Sequence, residues 1–320
     1  MLSRLAENLY WCGVYVERAD ATARLVDVTY HSLLESRPAE MTSAWRDVLR
    51  LLHADEGYKT WREDITGLGV MEYLVVDANN PSSIVQAVGQ AREDTRSVRE
   101  TVPTEFWEAV NDFHLDLGRR DLQAMLRTQP FEIFELVRWR SQAVVGIAAE
   151  TMLRDDGWRF FTIGRLLERA KTVCRLLVTR YAELLRTAAP LAFHNWVSVL
   201  KSVSAFEAFR KSYRASMDPA DVVEFLVLRA DFPRSVLFCL EGTEHELAEL
   251  TAPDEVTRPQ RLIGRVRADL EYRSVGELLD EDLKIFLSGM QQRVQDVDDA
   301  IATSFFRNVG ESDMQKLEVR

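Results

Sequence analysis

The chain has 320 residues, of which 47% are hydrophobic and 28% charged, a balance typical of a globular protein and not of a disordered one. Glycine and proline are few, at 14 and 9 residues, which favours long helices over a sheet that needs many turns. The net charge is −11 and basic residues are interleaved with acidic ones, so the composition argues against a nucleic-acid-binding surface.

The first predicted element is a long helix over residues 2–36. This segment has no proline and a single glycine, and its apolar residues recur at spacings of three and four, as on one helix face. Charges stand at the start where a signal peptide needs an apolar run, and no stretch reaches the roughly 18 apolar residues of a membrane span. We therefore expect a cytoplasmic protein with no membrane segment.

The next elements are shorter helices separated by prolines. Asn80 is expected to cap a helix whose first residue is Pro81, where the missing N–H costs nothing. The apolar runs at 74–76 and 226–228 are too short to be convincing strands and fit helix ends better. No segment shows the alternation of a strand, so the pattern predicts an all-α fold.

A second long helix is predicted after Asp155 and Asp156, which can cap its start, and its apolar seam covers residues 160–184. Near the C-terminus, Ser274 and Glu277 have the spacing of a capping box. We expect this box to precede a long last helix over about residues 278–306.

The second half of the chain resembles the first. Segment 13–19 is similar to segment 164–170, at an offset of 151 positions. Further on, six of thirteen residues are identical between segments 72–84 and 224–236, at an offset of 152. Several matches in the same order, at a nearly constant offset, indicate a tandem duplication of a unit of typical domain size.

The predicted organisation is therefore two helical repeats, at 1–151 and 152–306, followed by a polar C-terminal tail at 307–320. We expect a helical bundle in which the repeats pack about a pseudo-twofold axis. Repeats that fold separately would fit the same pattern.

Each long helix carries the motif Gly-x-x-x-Glu-Arg-Ala, followed by an arginine seven residues after the glutamate. In the two copies the charged residues are Glu17, Arg18, Arg24 and Glu168, Arg169, Arg175. Gly13 and Gly164, one turn before each glutamate, would let another backbone or a ligand come close.

Two interpretations of these charges remain open. Glu17 and Arg24 are about 10 Å apart along the helix axis, too far for an ordinary i,i+4 pair, so we expect their partners on other elements. In the structural interpretation, Glu17 pairs with Arg169 and Glu168 with Arg18 across the two helices. In the functional one, the arginines bind a carboxylate, phosphate or peptide, and a glutamate orients an amine or a second arginine.

A second basic surface is predicted at Arg92, Arg96 and Arg99, which share one helix face with Glu93 and Glu100 nearby. A solvated face with local ion pairs explains it, and a ligand-binding site is the alternative. The matching stretch of the second half is not basic, which favours a role specific to one half.

Several kinds of site are not indicated by the sequence. There is no glycine-rich phosphate loop, and the five histidines do not have the spacing of metal ligands. The three cysteines are isolated, so a disulfide framework is not indicated either. We expect neither a cofactor nor a metal.

The residues just described resemble those of a known family. Segment 2–19, with its Glu-Arg pair, is similar to the start of the bacterial alpha-E proteins, and the similarity continues through 80–84, 91–100, 164–175 and 231–235. The chain departs from the family at Cys12-Gly-Val, where a bulkier residue and an arginine are more usual, and at Asp94, where asparagine is more usual.

The resemblance implies a helical protein encoded beside, or fused to, circularly permuted ATP-grasp proteins, and in some cases beside transglutaminase-like proteases. It therefore implies an accessory role with an ATP-grasp amide ligase in peptide synthesis or modification. By motif, it carries over Glu17, Arg18, Glu168 and Arg169 as the residues of interest.

Three functional hypotheses follow. The first is a binding partner of the ligase or of its peptide or carboxylate substrate. The second is an enzyme in which Glu17 or Glu168 is the general base and Arg18, Arg169 or Arg24 stabilises an anion. The third is a purely structural scaffold or homodimer.

Overall fold

A computed structural model describes residues 3–34, 37–184, 189–213, 217–252, 255–280 and 282–306 of the chain. The predicted tail at 307–320 lies outside these residues, as do residues 2 and 35–36 of the first predicted helix. The described segments contain helices and no strand, so the all-α prediction is confirmed.

Among the described residues of the first half there are eight α-helices: α1 (Ser3–Ser32), α2 (Pro38–Leu51), α3 (Asp55–Trp61), α4 (Gly67–Val75), α5 (Ile84–Ser97), α6 (Thr104–Gly118), α7 (Leu122–Thr128) and α8 (Pro130–Thr151). Within the described part of the second half there are eight more: α9 (Asp156–Leu184), α10 (Ala189–Ser202), α11 (Phe206–Ser212), α12 (Pro219–Val227), α13 (Val236–Ala248), α14 (Arg258–Glu271), α15 (Val275–Asp280) and α16 (Leu283–Ile301). A π-helical turn, Ala302–Phe306, continues α16.

The predicted last helix at 278–306 is wrong in its bounds. The Ser274–Glu277 capping box forms, since the Ser274 N–H donates to the Glu277 carboxylate and the Ser274 hydroxyl accepts from the Glu277 N–H. This box begins the six-residue helix α15, however, and a separate helix, α16, follows at Leu283. Asp282 caps α16 by accepting from the N–H groups of Lys284 and Ile285.

The prediction that Asn80 caps a helix beginning at Pro81 is also wrong. Ser83 is the cap of α5, and its hydroxyl accepts from the Gln86 N–H. The Asn80 amide is used elsewhere, because it donates to the carbonyl of Tyr73 and accepts from the Ser82 N–H. Pro81 therefore lies in a turn that is tied to the end of α4. The short apolar runs do lie at helix ends, as expected, since α4 ends at Val75 and α12 at Val227.

The two long helices form the centre of the molecule. Helix α1 packs along α9 and also contacts α5, α8 and α10. Helix α9 in turn contacts α2, α13 and α16. Buried apolar side chains from both halves make one continuous cluster, which includes Trp45 and Trp196. As a result, the charged motifs on α1 and α9 face each other inside a shared core.

Two glycines permit the close crossing of α1 and α9. A Cβ atom added at Gly13 would collide with the carbonyl oxygen of Phe161, and one added at Gly164 would collide with that of Tyr10. The expectation that these glycines admit another backbone is confirmed, and the backbone is that of the opposite long helix.

Candidate functional site

The Glu-Arg motifs meet across the α1–α9 interface as two groups of charged side chains, here named the Glu17 cluster and the Glu168 cluster after their buried carboxylates. Glu17 and Glu168 are each only 3% exposed. A buried carboxylate is costly unless it is paired, so the partners of each glutamate decide what the site can do.

In the Glu17 cluster, Arg169 holds the carboxylate of Glu17 in a bidentate pair, from Nε at 2.7 Å and Nη2 at 2.6 Å. Arg234 adds a contact from Nη1 at 3.4 Å, and Arg165 lies 3.8 Å away. The remaining Nη1 of Arg169 donates to the carbonyl of Pro233 at 3.0 Å. Both oxygens of Glu17 and all three donor nitrogens of Arg169 are therefore occupied.

Asp20 is the second carboxylate of the Glu17 cluster. It accepts from Arg24 Nε at 2.8 Å and from Arg234 Nη2 at 3.0 Å. Arg24 also donates from Nη1 to the Ser204 hydroxyl at 2.5 Å. The guanidinium of Arg234 thus joins Asp20 to Glu17. Arg24 does not pair with Glu17, as expected, but the expectation that its partners lie on other elements is met only by Ser204, because Asp20 is an i,i+4 partner on α1 itself.

In the Glu168 cluster, the carboxylate accepts from Arg18 Nε at 3.1 Å and Nη2 at 3.5 Å, and from Arg175 Nη2 at 3.2 Å. The i,i+7 pair of Glu168 with Arg175 contradicts the expectation that this spacing is too long, because the extended arginine reaches back over two helical turns. Lys171 lies 3.8 Å from Glu168 and also pairs with Asp298, which accepts a hydrogen bond from Tyr10.

The cross-helix ion pairs of the structural interpretation are therefore present: Glu17 pairs with Arg169, and Glu168 with Arg18. Burial alone would raise the pKa of Glu17, but the charges of Arg169 and Arg234 lower it to about 2. Burial would also raise the pKa of Glu168, but the positive charges of Arg18, Arg175 and Lys171 lower it to about 2.

A cavity of about 170 Å³ lies beside the Glu168 cluster. Its charged and polar lining includes Arg18, Glu168, Arg175, His53 and Ser82, and helix α4 contributes the apolar Leu74. Glu17 and Arg169 are not among the lining residues. The two clusters consequently differ, since the one at Glu168 borders an open space that a ligand could enter.

Arg92 and Arg96, the other predicted ligand-binding residues, are not brought to either cluster. Both donate to Glu93, and Arg92 also donates to Asn111 at 2.8 Å. These local contacts fit the solvated helix face with local ion pairs that was one of the two interpretations of the sequence. A larger cavity of about 300 Å³ lies near α6 and α7, lined by residues such as His114 and Asp121, and it contains none of the predicted site residues.

Sequence reasoning missed several members of the clusters. Arg234 was within a segment noted for its repeat, and its position next to a helix cap was a usable signal. The spacing of Lys171, one turn after Glu168, is visible in the sequence. Arg165 reaches Glu17 only through the packing of α1 on α9, and Asp298 reaches Lys171 only through the packing of α16 on α9. His53 was also missed, and it has the left-handed φ of 52° at the end of α2.

No set of three or more histidine, cysteine, aspartate or glutamate side chains within the described segments could hold a metal ion. The three cysteines are buried and unpaired, and burial raises the pKa of each thiol to about 12. None of the helices in the described part of the chain is long and apolar enough to cross a membrane.

Comparison with known proteins identifies relatives that are themselves uncharacterized. One from Mycobacterium bovis and two from strains of Mycobacterium tuberculosis are 24% identical over 94% of this chain. The chain spans only 36% of their length. No solved structure matches the chain. The family model of Alpha-E, described as a predicted alpha-helical domain with a conserved ER motif, matches residues 1–306, and the chain belongs to this family.

Proposed function

We propose that the protein is a binding component that works with an ATP-grasp amide ligase in the synthesis or modification of peptides. The observation that carries the proposal is that both motif glutamates are already engaged by arginines. Such carboxylates hold α1 and α9 in register and position arginines, which suits binding better than proton transfer.

The alternative of a glutamate general base is less well supported by the geometry. A general base works best when its pKa lies near the operating pH, whereas the pKa of Glu17 and that of Glu168 are both about 2. A proton taken up by either carboxylate would also break its arginine contacts. The purely structural alternative accounts for the Glu17 cluster but leaves the cavity beside Glu168 without a role.

The size of the relatives is consistent with a second activity close by. Because the chain covers 36% of their length, the remainder is long enough to hold further domains. The alpha-E resemblance implies that an ATP-grasp protein is such a partner, with a transglutaminase-like protease as another. A binding component in the cytoplasm would then act next to the enzyme that forms the amide bond.

We further infer that the two halves are repeats of one unit related by a pseudo-twofold axis through the α1–α9 crossing. Helices α1 to α5 have 30, 14, 7, 9 and 14 residues, and α9 to α13 have 29, 14, 7, 9 and 13. The reciprocal ion pairs and the two crossing glycines support the same relationship. Repeats arranged in this way would share one core and could not separate as independent domains.

The test of the ligase partnership is co-purification with a circularly permuted ATP-grasp protein from the same organism, with and without ATP and magnesium. We expect a stable complex, and amide-bond formation that is slower when this protein is left out. Amide-bond formation by this chain alone would favour the enzyme alternative. A ligase that neither binds the chain nor responds to it in either condition would rule the partnership out.

A further inference from the structure

The two clusters use the same kinds of side chain but differ in one respect that concerns ligands. Arg234 and Ser82 each come directly before the serine that caps a helix, Ser235 of α13 and Ser83 of α5. In the Glu17 cluster the Arg234 side chain fills the space next to Asp20 and Glu17. In the Glu168 cluster the short Ser82 borders the cavity instead.

The two clusters also differ in whether their arginine Nη1 atoms already have hydrogen-bond partners. In the Glu17 cluster, Nη1 of Arg169 donates to Pro233 and Nη1 of Arg24 donates to Ser204. In the Glu168 cluster, Nη1 of Arg18 and Nη1 of Arg175 have no hydrogen-bond partner among the residues that the structure describes. Both arginines line the cavity, and their side chains are 26% and 18% exposed.

The charged side chains around the cavity favour an anionic ligand over an additional cation. Lys171 stands one turn of α9 after Glu168, and together with Arg18 and Arg175 it gives three cations against the two carboxylates Glu168 and Asp298. A guanidinium placed like Arg234 would find no second carboxylate equivalent to Asp20 there. One added negative charge would instead balance the cluster.

We propose that the cavity beside Glu168 binds a carboxylate group, held by Nη1 of Arg18 and Nη1 of Arg175, on a molecule with a short apolar side chain. Two adjacent guanidinium donors suit the two oxygens of a carboxylate. The Ser82 and Thr22 hydroxyls and His53 add polar contacts, whereas Leu52 and Leu74 offer an apolar wall. The cavity volume of about 170 Å³ is several times the ~30 Å³ occupied by one water molecule.

This inference rests on the proposed binding role, and it names the ligand chemistry of that role. The carboxylate could belong to a small free acid or to the C-terminal residue of a peptide. Binding can be measured on this chain alone by titration calorimetry, so a failure here is distinguishable from a failure to bind the ligase.

The probes are N-acetyl-L-leucine, its uncharged methylamide, and the tripeptide Gly-Gly-Leu with either a free or an amidated C-terminus. We expect the free carboxylates to bind and the uncharged counterparts to bind at least about tenfold more weakly. Tighter binding of the free tripeptide than of the acid would identify a peptide C-terminus as the source. Inorganic phosphate is the competing anion, and binding of phosphate alone would overturn the carboxylate assignment.

The decisive variant is Ser82→Arg, which places in the cavity the side chain that Arg234 supplies to the other cluster. We expect it to abolish binding of N-acetyl-L-leucine at a temperature at which the variant is fully folded, although the added guanidinium finds no second carboxylate there and should lower the unfolding midpoint. Ser82→Ala is the matched comparison, because it removes one hydroxyl contact but leaves the cavity open, and it should still bind, about two- to tenfold more weakly than the unaltered protein. If neither carboxylate probe binds the unaltered chain, or if Ser82→Arg binds as well as Ser82→Ala, the proposal is wrong.

Discussion

Arg169 of α9 holds the carboxylate of Glu17 on α1 through two hydrogen bonds, from Nε at 2.7 Å and from Nη2 at 2.6 Å. This bidentate pair joins the two central helices inside the core. Because the pair is buried, removing one charge leaves the other charge uncompensated in the core. Removing one partner therefore lowers the free energy of unfolding far more than replacing the whole pair by apolar side chains would.

We therefore expect Glu17→Gln to lower the free energy of unfolding by about 3–5 kcal/mol. Urea denaturation followed by circular dichroism measures it. The control is Glu56→Gln, because the Glu56–Lys59 pair is exposed and its loss should cost less than about 1 kcal/mol. Equal effects of the two variants would contradict the view that the Glu17 cluster supports the fold.

The low pKa values of Glu17 and Glu168 predict a loss of stability in acid. Their pKa values of about 2 lie below the ordinary value of 4.5, so the stabilisation is complete above 4.5 and is lost as the pH falls towards 2. Each carboxylate should contribute on the order of 3 kcal/mol. The urea midpoint, measured at a series of pH values, should fall over this range, and the fall should be smaller in Glu168→Gln. A pH-independent midpoint would disprove this linkage.

The crossing of α1 and α9 predicts that Gly13 cannot be replaced. Gly13→Ala should destabilise the protein by about 3 kcal/mol, because its methyl group would overlap the Phe161 carbonyl oxygen and force the helices apart. Gly146 on α8 is the matched control, since a Cβ there meets nothing within 4 Å. Gly146→Ala should instead stabilise the helix by up to about 1 kcal/mol. Thermal unfolding of both variants tests the contrast, which would be refuted if Gly13→Ala unfolded at the same temperature as the unaltered protein.

The raised pKa of Asp94 predicts that the stability of the protein falls as the pH rises towards neutral. Burial, with the charges of Glu7 and Glu93, raises the pKa of Asp94 to about 7, and its Oδ2 is buried without a hydrogen-bond partner among the described residues. A raised pKa means that the protonated carboxyl is favoured in the folded state. The corresponding stability is present below the ordinary pKa of 3.8 and is lost as the pH rises through 7.

Asp94→Asn should remove this dependence on pH. With allowance for the partial exposure of the side chain to solvent, we expect the variant to gain about 1–2 kcal/mol at a pH of about 8 and less at about 5. Urea unfolding at the two pH values is the measurement, and the acidic arm serves as the control. An equal gain in the free energy of unfolding at both pH values would mean that the effect of the substitution does not come from the charge of Asp94.

Local sequence patterns predicted the helices well where they were long. The apolar seams of α1 and α9 indicated both central helices, because spacings of three and four bury one helix face, and Asp155 was a usable signal for the start of α9, since it accepts from the Trp158 N–H. The end of the chain was predicted less well. The capping box at Ser274 was correctly identified, but nothing local in the sequence indicated that α15 would stop after six residues.

The sequence by itself determined the all-α class and the Glu-Arg motifs with their glycines. It left the cross-helix pairs of Glu17 with Arg169 and Glu168 with Arg18 as one of two open interpretations. These features depend on helical periodicity and on charge compensation, which residue types and spacing express directly. Only the tertiary structure decided that Arg234 completes one cluster while Ser82 leaves a cavity beside the other. That difference arises where α13 and α5 begin against the long helices, so it depends on contacts between residues far apart in the chain.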